Sequence, residues 1–414
     1  MERPHNSNWQ VVTFNKPLLF TRDQEEVWMF NPKRRYILNA NQLRNLQVPT
    51  DHIETISDLK GCSDYRPLSA GAHLPGSSIL VERYRERGIG DLLFTTGPLN
   101  YLHHLAGGDL YVDYYALSSR GRVLTGNPVL AHKTALAGPL HLDDLRNYDY
   151  HWMIDTGTEY NEEADQLNVY DALFRQLGIN PNTVDSKWKR PSAYLSTDDL
   201  KNFDQFLYYI HEERQVDLRS VPYYVVAPLS YGSLRVMDYR IWLEVINMLS
   251  QRRPVVVVGH LADRLPATSM TVGEFSQRLD GMGEKVINVM GNTPERVMMS
   301  VIAGAKCVVC LDSAPLYIAQ AFRTPAVSIW GTHDPGVRIG YDKDYMELAV
   351  WNRSACRFSP CFAYAKFPEK KCPNGANQDV CEPLATVNPD SIMEKVDMVE
   401  SANLVIEPVA VSKG

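Results

Sequence analysis

The feature that most constrains this chain is a repeated alternation of short β-branched runs with stretches of helical period. Tyr223–Pro228 (YYVVAP), Val255–Gly259 (VVVVG), Lys285–Met290 (KVINVM), Cys307–Leu311 (CVVCL) and Ala326–Trp330 (AVSIW) read as strands. Asp238–Ser250, Thr293–Gly304 and Pro315–Phe322 read as helices between them, with Thr293 as N-cap, Pro294 at N1 and Gly304 closing the second. A strand that is apolar at every position must be covered on both faces, which predicts a parallel, doubly wound sheet. The same rhythm runs earlier. Ser78–Tyr84, Leu110–Ala116 and His151–Asp155 read as strands, and Asp91–Leu105 and Gln166–Gly178 as helices. Two Rossmann-like α/β domains facing a cleft follow, with ligands at the carboxyl ends of the strands.

Around this frame the chain divides into an N-terminal extension over 1–77, a first Rossmann-like domain over 78–215, a second over 216–350 and a tail over 351–414. Gln10–Phe20 and Glu26–Leu38 are broken by Asn-Lys-Pro and Asn-Pro-Lys and predict short strands and turns. Gly61–Ser77 reads as an extended crossing segment, and the polar stretch Ser186–Ser220 as the separator of the two domains. With 414 residues, 44% hydrophobic and 22% charged, the chain has the composition of a globular protein rather than a disordered one. A net charge of −7 argues against nucleic acid held by global charge. No apolar run reaches the ~18 residues of a membrane span. The opening MERPHNSNWQ has no apolar core of a secretory signal, so a cytoplasmic location is expected, in the host cell if the protein is viral.

Two segments carry chemistry. Cys307–Gly336 runs from a buried strand ending at Asp312 into a helix capped by Ser313 with Pro315 at N1; a helix N-terminus after a strand suits a phosphate. Arg87–Leu99 (RGIGDLLFTTGPL) places Asp91 where a helix begins, either as a first-turn carboxylate or as a general base. Together they resemble the two signatures of the heptosyltransferase-type glycosyltransferases of family nine, which have the GT-B architecture. Asp312, Ser313, Ala319, Ala321, Gly331, Asp334 and Pro335 keep the family pattern, while Ala314 stands where Gly is usual and Tyr317 where His is usual. The resemblance covers roughly Ser78–Val396. It implies an inverting transfer from a nucleotide-sugar donor, a UDP- or ADP-sugar, with no catalytic metal. It assigns Asp91 as the base that deprotonates an acceptor hydroxyl, with Gly88, Gly90 and Thr95 on the acceptor side. It places Asp312, Ser313, Ala314 and Tyr317 at the donor, joined by Ser230, Ser233, Arg235 and Asp263. The triplet Asp342-Lys343-Asp344 is expected to be a solvated turn rather than a metal site.

Cys356, Cys361, Cys372 and Cys381 fall close together in the tail and resemble a Cys-rich tail seen in some family-nine members. Four thiols there suit a structural Zn, two disulfides or free thiols, and the tail is expected to return to the first domain. The acceptor implied is a glycan hydroxyl or, as in enzymes of bacterial viruses, a hydroxymethylated base in DNA. For the latter, Lys187-Trp188-Lys189-Arg190 offers basic charge and a ring to stack on a base. A catalytically inactive nucleotide-sugar-binding protein of the same fold is the alternative.

Overall fold

The structure is a computed structural model describing residues 9–22, 26–39, 42–43, 46–83, 88–116, 118–154, 166–230, 233–260, 270–361, 372 and 381–401. The chain forms two compact units, residues 1–161 with 169–189 and residues 162–168 with 190–414. Helices of eight or more residues are numbered below.

The first unit opens with antiparallel β-structure. Strands β1 (Trp9–Phe14), β4 (Arg35–Asn39) and β5 (Ile53–Asp58) form a sheet in the order β4-β1-β5, and β2 (Leu18–Arg22) pairs with β3 (Glu26–Phe30) as a hairpin. Val12, Phe14, Trp28, Phe30, Tyr36 and Leu38 make its core, with the Phe30 and Tyr36 rings edge to face at 4.9 Å. The expected crossing segment lies beside the next sheet: Leu68 N–H donates to the His151 carbonyl at 2.9 Å, and His151 N–H to that of Arg66 at 2.8 Å. That sheet is parallel, in the order β7 (Leu110–Tyr115), β6 (Ser77–Arg83), β8 (Tyr150–Ile154). Helix α1 (Ile89–Leu105) follows β6, and α2 (Val169–Gln176) packs on α1.

The second unit holds one six-stranded parallel sheet in the order β11 (Val286–Asn288), β10 (Val255–Val257), β9 (Tyr224–Ala227), β12 (Cys307–Leu311), β13 (Ala326–Ile329), β14 (Ala349–Val350). Counted along the chain this is 3-2-1-4-5-6, the doubly wound arrangement. Period-two alternation with both faces covered explains why nearly every strand residue is apolar, Asn288 and Ser328 being the exceptions. Val226, Val257, Val309 and Val327 meet one apolar cluster with α4 (Tyr239–Arg252), α5 (Val272–Asp280) and α8 (Pro389–Ser401). Val225, Val256, Val308 and Ala326 point to the other face and are equally buried. Helices α3 (Thr197–Arg214), α6 (Glu295–Ala303) and α7 (Ala314–Phe322) pack in sequence with one another.

Several expectations are corrected. The polar separator contains α3, whose 18 residues belong to the second unit. Ser196 caps it through the Asp199 N–H while the Asp199 carboxylate accepts from Ser196, and the same carboxylate accepts from Arg296 Nε at 3.0 Å. The described part of the tail packs on the second unit, because Leu384, Val387, Ile392, Met393, Val396 and Val399 complete its apolar cluster. Helix α6 starts at Glu295 with Pro294 as N-cap, since the Thr293 hydroxyl turns back to the Val289 carbonyl at 2.8 Å. Asp342 is no solvated turn: it is 8% exposed and pairs with Arg323, which also reaches Asp344 at 3.2 Å. Trp188 stacks on His104 at 5.1 Å, and Lys189, 3% exposed, pairs with Asp171 at 2.9 Å. This ring and this cation serve their own unit instead of presenting a nucleic-acid surface. Among the described residues no helix is long and apolar enough to cross a membrane.

Candidate active site

In the second sheet β9 and β12 are neighbours whose connections leave in opposite directions, and the carboxyl ends of such a pair open a crevice. Three loops bring side chains there: Arg235 after β9, Asp312 after β12, and His333 after β13. Asp312 is 3% exposed. Its Oδ1 accepts from the Tyr317 hydroxyl, and its Oδ2 stands 2.6 Å from His333 Nδ1. Arg235 Nη1 donates to the Asp312 main-chain oxygen at 3.1 Å and lies 3.7 Å from Oδ2.

The electrostatics follow from this packing. Burial alone would raise the Asp312 pKa, but bonding to His333 and the charges of Arg235 and Arg338 hold it well below the usual carboxylate range. Burial lowers the His333 pKa against the opposing pull of Asp312, and its Nδ1–H donates to that carboxylate. The Tyr317 phenol is pushed well above its ordinary value, chiefly by burial, and stays a donor. The charges of two guanidinium groups, Arg235 and Arg338, thus act on one buried carboxylate beside the N-terminus of α7. Such an arrangement binds anionic phosphate oxygens.

The other assigned donor residues are placed as follows. Ser313 is the N-cap of α7 but makes no side-chain cap; its hydroxyl lies 3.4 Å from the Leu311 carbonyl. The helix starts at Ala314, which makes Pro315 its second residue, not its first as expected. Ser230 is buried beyond β9, and Ser233 opens the short turn that ends at Arg235. Asp263 lies outside the described residues. Sequence reading missed His333 and Arg338; the only available signal was their position beside the Asp334-Pro335 turn.

In the first unit Asp91 is the third residue of α1. Its Oδ2 accepts from the Gly88 N–H at 3.1 Å, and its Oδ1 lies 3.5 Å from Nη2 of the fully buried Arg83. The side chain keeps 17% of its exposure, so one carboxylate both caps the helix and reaches solvent. Gly88 is the N-cap and Gly90 is buried in the first turn. Thr95 departs from its acceptor-side assignment. It is fully buried, and its hydroxyl donates back to the Leu92 carbonyl at 2.6 Å.

The four tail cysteines line one small pocket together with Leu234, Gly331, Thr332 and Glu382. The structure holds them as thiols. Burial pushes the Cys381 thiol up to about 12, helped by the other three sulfurs nearby. Thr332 puts a buried hydroxyl with no hydrogen-bond partner among the walls. Gly331 permits the close approach: a Cβ there would stand 2.9 Å from Leu384 and 3.2 Å from the Cys381 sulfur. Among the described residues no three His, Cys, Asp or Glu side chains stand in metal-ligand geometry.

A family model described as glycosyltransferase family 9 (heptosyltransferase) matches residues 159–370. No curated protein sequence matches the chain. Among solved structures the chain resembles Escherichia coli ADP-heptose lps heptosyltransferase II, with 13% identity and TM-score 0.54 over 78% of this chain and 98% of that one. It resembles the family 9 glycosyltransferase of Veillonella parvula DSM 2008, with 12% identity and TM-score 0.53 over 79% and 98%. A third is TibC from enterotoxigenic E. coli H10407, a dodecameric iron-containing heptosyltransferase solved with ADP-D-β-D-heptose. That match has 12% identity and TM-score 0.53 over 95% of this chain and 92% of that one. At these identities the likeness is one of fold.

Proposed function

Because the chain belongs to glycosyltransferase family 9 and is a nucleotide-sugar-dependent transferase, we propose that it uses an ADP-linked sugar and transfers that sugar with inversion to a carbohydrate hydroxyl. The observation that carries this reading is the gathering of Arg235, Asp312 and His333 at the switch point of the second sheet, beside the N-terminus of α7. The donor nucleotide is inferred from the relative solved with ADP-D-β-D-heptose. Arg235 and the N-terminus of α7 neutralise the diphosphate as it leaves, since charge develops there in the transition state. In a single displacement the acceptor oxygen forms its bond to the anomeric carbon while the bond to the diphosphate oxygen breaks. The electron pair goes to the leaving nucleoside diphosphate, and the acceptor proton goes to the Asp91 carboxylate. Loss of that proton during attack is what makes the hydroxyl nucleophilic enough.

The thiol pocket is read as a structural metal site. Four sulfurs lining one pocket offer soft ligands for a thiophilic ion, Zn or iron, once they close from their present spacing, and one such relative is described as iron-containing. Cys356, Cys361, Cys372 and Cys381 would hold it as thiolates, which the metal's own charge would deprotonate. No step of the transfer runs through it. Metal analysis of the purified protein is expected to find about one iron or zinc per chain, lost on Cys361→Ser. Protein free of both metals would overturn the assignment.

The reading is tested by nucleotide release from ADP-heptose and UDP-, GDP- and CMP-sugars, each with and without a glycan acceptor and with hydroxymethylated duplex DNA. Acceptor-stimulated release from an ADP-sugar supports it. Stimulation by the DNA alone would replace the carbohydrate acceptor. Donor binding without release under any condition would favour the inactive nucleotide-sugar-binding protein.

A further inference from the structure

The thiol pocket and the candidate donor site share two loops. Of the residues that line the pocket, Leu234 immediately precedes Arg235, and Gly331 and Thr332 immediately precede His333. The tail holds the second of these loops directly. The Cys361 N–H donates to the Thr332 main-chain oxygen at 3.1 Å, and the Ser359 hydroxyl donates to that of Gly331 at 3.4 Å. Gly331 is pressed against the tail as well, since a Cβ there would stand 2.9 Å from the Leu384 side chain and 3.2 Å from the Cys381 sulfur. The next residue, His333, places its Nδ1 2.6 Å from Asp312 Oδ2. An unbroken line of contacts therefore runs from Cys361 through Thr332 and His333 to Asp312, at the start of α7.

Among the described residues the tail thiols do not stand in metal-ligand geometry. Gathering them on one ion shifts Cys361 and Cys381, and both bear on the backbone of Gly331 and Thr332. We propose that Ser359, Cys361 and Cys381 couple the thiol pocket to the donor site, so that metal held by the thiols and nucleotide held at the loop of His333 tighten each other. The physical reason is that the two ligands order the same loop. Whichever binds first bears that entropic cost, and the second binds to a loop already fixed. Such a coupling is reciprocal: each ligand changes the affinity for the other by the same factor. The inference rests on the metal-site and donor-site readings of the second unit. It gives the cysteines of the tail a part in donor affinity, beyond the apolar packing by which α8 completes the core.

Titration calorimetry with ADP tests it on the full-length protein as purified, after stripping by a chelator, and after reloading with zinc, each beside a melting curve. Stripping is expected to weaken ADP binding about tenfold, and reloading to restore it. Competition for zinc against a chromophoric chelator supplies the reciprocal readout: saturating ADP is expected to tighten zinc by the same factor. A metal that serves the fold alone would leave ADP affinity equal in the loaded protein and in the stripped, still folded one, and that result overturns the proposal. If stripping unfolds the chain, the comparison passes to zinc-loaded Ser359→Ala, which keeps all four thiols and removes one of the two hydrogen bonds from the tail to the loop. It is expected to retain its zinc and bind ADP about threefold more weakly; parental affinity in that variant overturns the proposal. Protein that takes up neither zinc nor iron would sink the metal reading, and protein that binds no ADP the donor reading, and the coupling falls with either. Both ligands bound, each indifferent to the other, sinks the coupling alone.

Discussion

Asp91 satisfies a local rule, and the proposed mechanism asks a chemical one of the same carboxylate. At the third position of α1 its carboxylate closes the helix end through the Gly88 N–H, as a first-turn acid does anywhere. Arg83 beneath it fixes the side chain without burying it. Asp91→Asn keeps an oxygen for the cap but removes the base. Its expected signature is a fall in kcat of about 10²–10⁴-fold, with ADP affinity and melting temperature close to those of the parent. A variant that also loses ADP binding or unfolds would mean that Asp91 serves structure alone. Asp91 and Asp312 were both legible in the sequence because each follows a strand at a helix start. His333 was not, because nothing in a linear pattern says that the loop after one strand reaches the carboxylate after another. Thr95 misled for the opposite reason: a hydroxyl one turn past a candidate base looks available until the helix claims it.

At the scale of elements, five of the six strands of the second unit were readable because double-sided burial leaves short, mostly apolar and β-branched runs, whereas β14, only two residues long, leaves none. Helix α3 was not, since few of its residues are buried and its outward faces carry the polar composition of a linker. The signal it did carry was the Ser196 and Asp199 capping pair. The tail helix α8 was placed wrongly because an amphipathic helix states that it needs an apolar partner without stating which one. Its docking now has an electrostatic component. Glu400 accepts from Arg253 at 3.0 and 2.8 Å and from the Tyr224 hydroxyl at 2.7 Å. The bond to Arg253 leads the causes that bring the Glu400 pKa down to about 2 from 4.5, against the raising effect of burial. A carboxylate depressed on folding stabilises the protein above its unfolded pKa and loses that contribution as pH falls through the folded one. Glu400→Gln is therefore expected to cost about 1–2 kcal/mol at pH 7. The gap from the parent should narrow as pH falls from about 4.5 towards about 2. A gap independent of pH over that window would show that the charge of Glu400 contributes nothing to docking.

For the molecule as a whole, the division of labour follows from which unit holds which chemistry. The groups proposed to meet the nucleotide, Arg235, Asp312, Tyr317, His333 and Arg338, all belong to the second unit, while Asp91, the proposed base, belongs to the first. On that proposal the phosphates of a nucleotide without its sugar find their charge partners in the second unit alone. Amide hydrogen exchange of the full chain with saturating ADP is expected to slow most in the loop ending at Arg235, in the first turns of α7, and in residues 330–338. Residues 88–96 around Asp91 should change least, because ADP carries no acceptor hydroxyl and no anomeric carbon for that carboxylate to serve. The magnitude follows from linkage: at a hundredfold excess over Kd, a ligand adds about 2.7 kcal/mol to every opening that must release it. That slows exchange about a hundredfold in segments whose opening breaks the site, and leaves independent openings untouched. Protection centred on α1 instead would move the nucleotide to the first unit. The six-stranded sheet would then be a frame for something other than the donor, and the reading of Arg235 and His333 would fall with it.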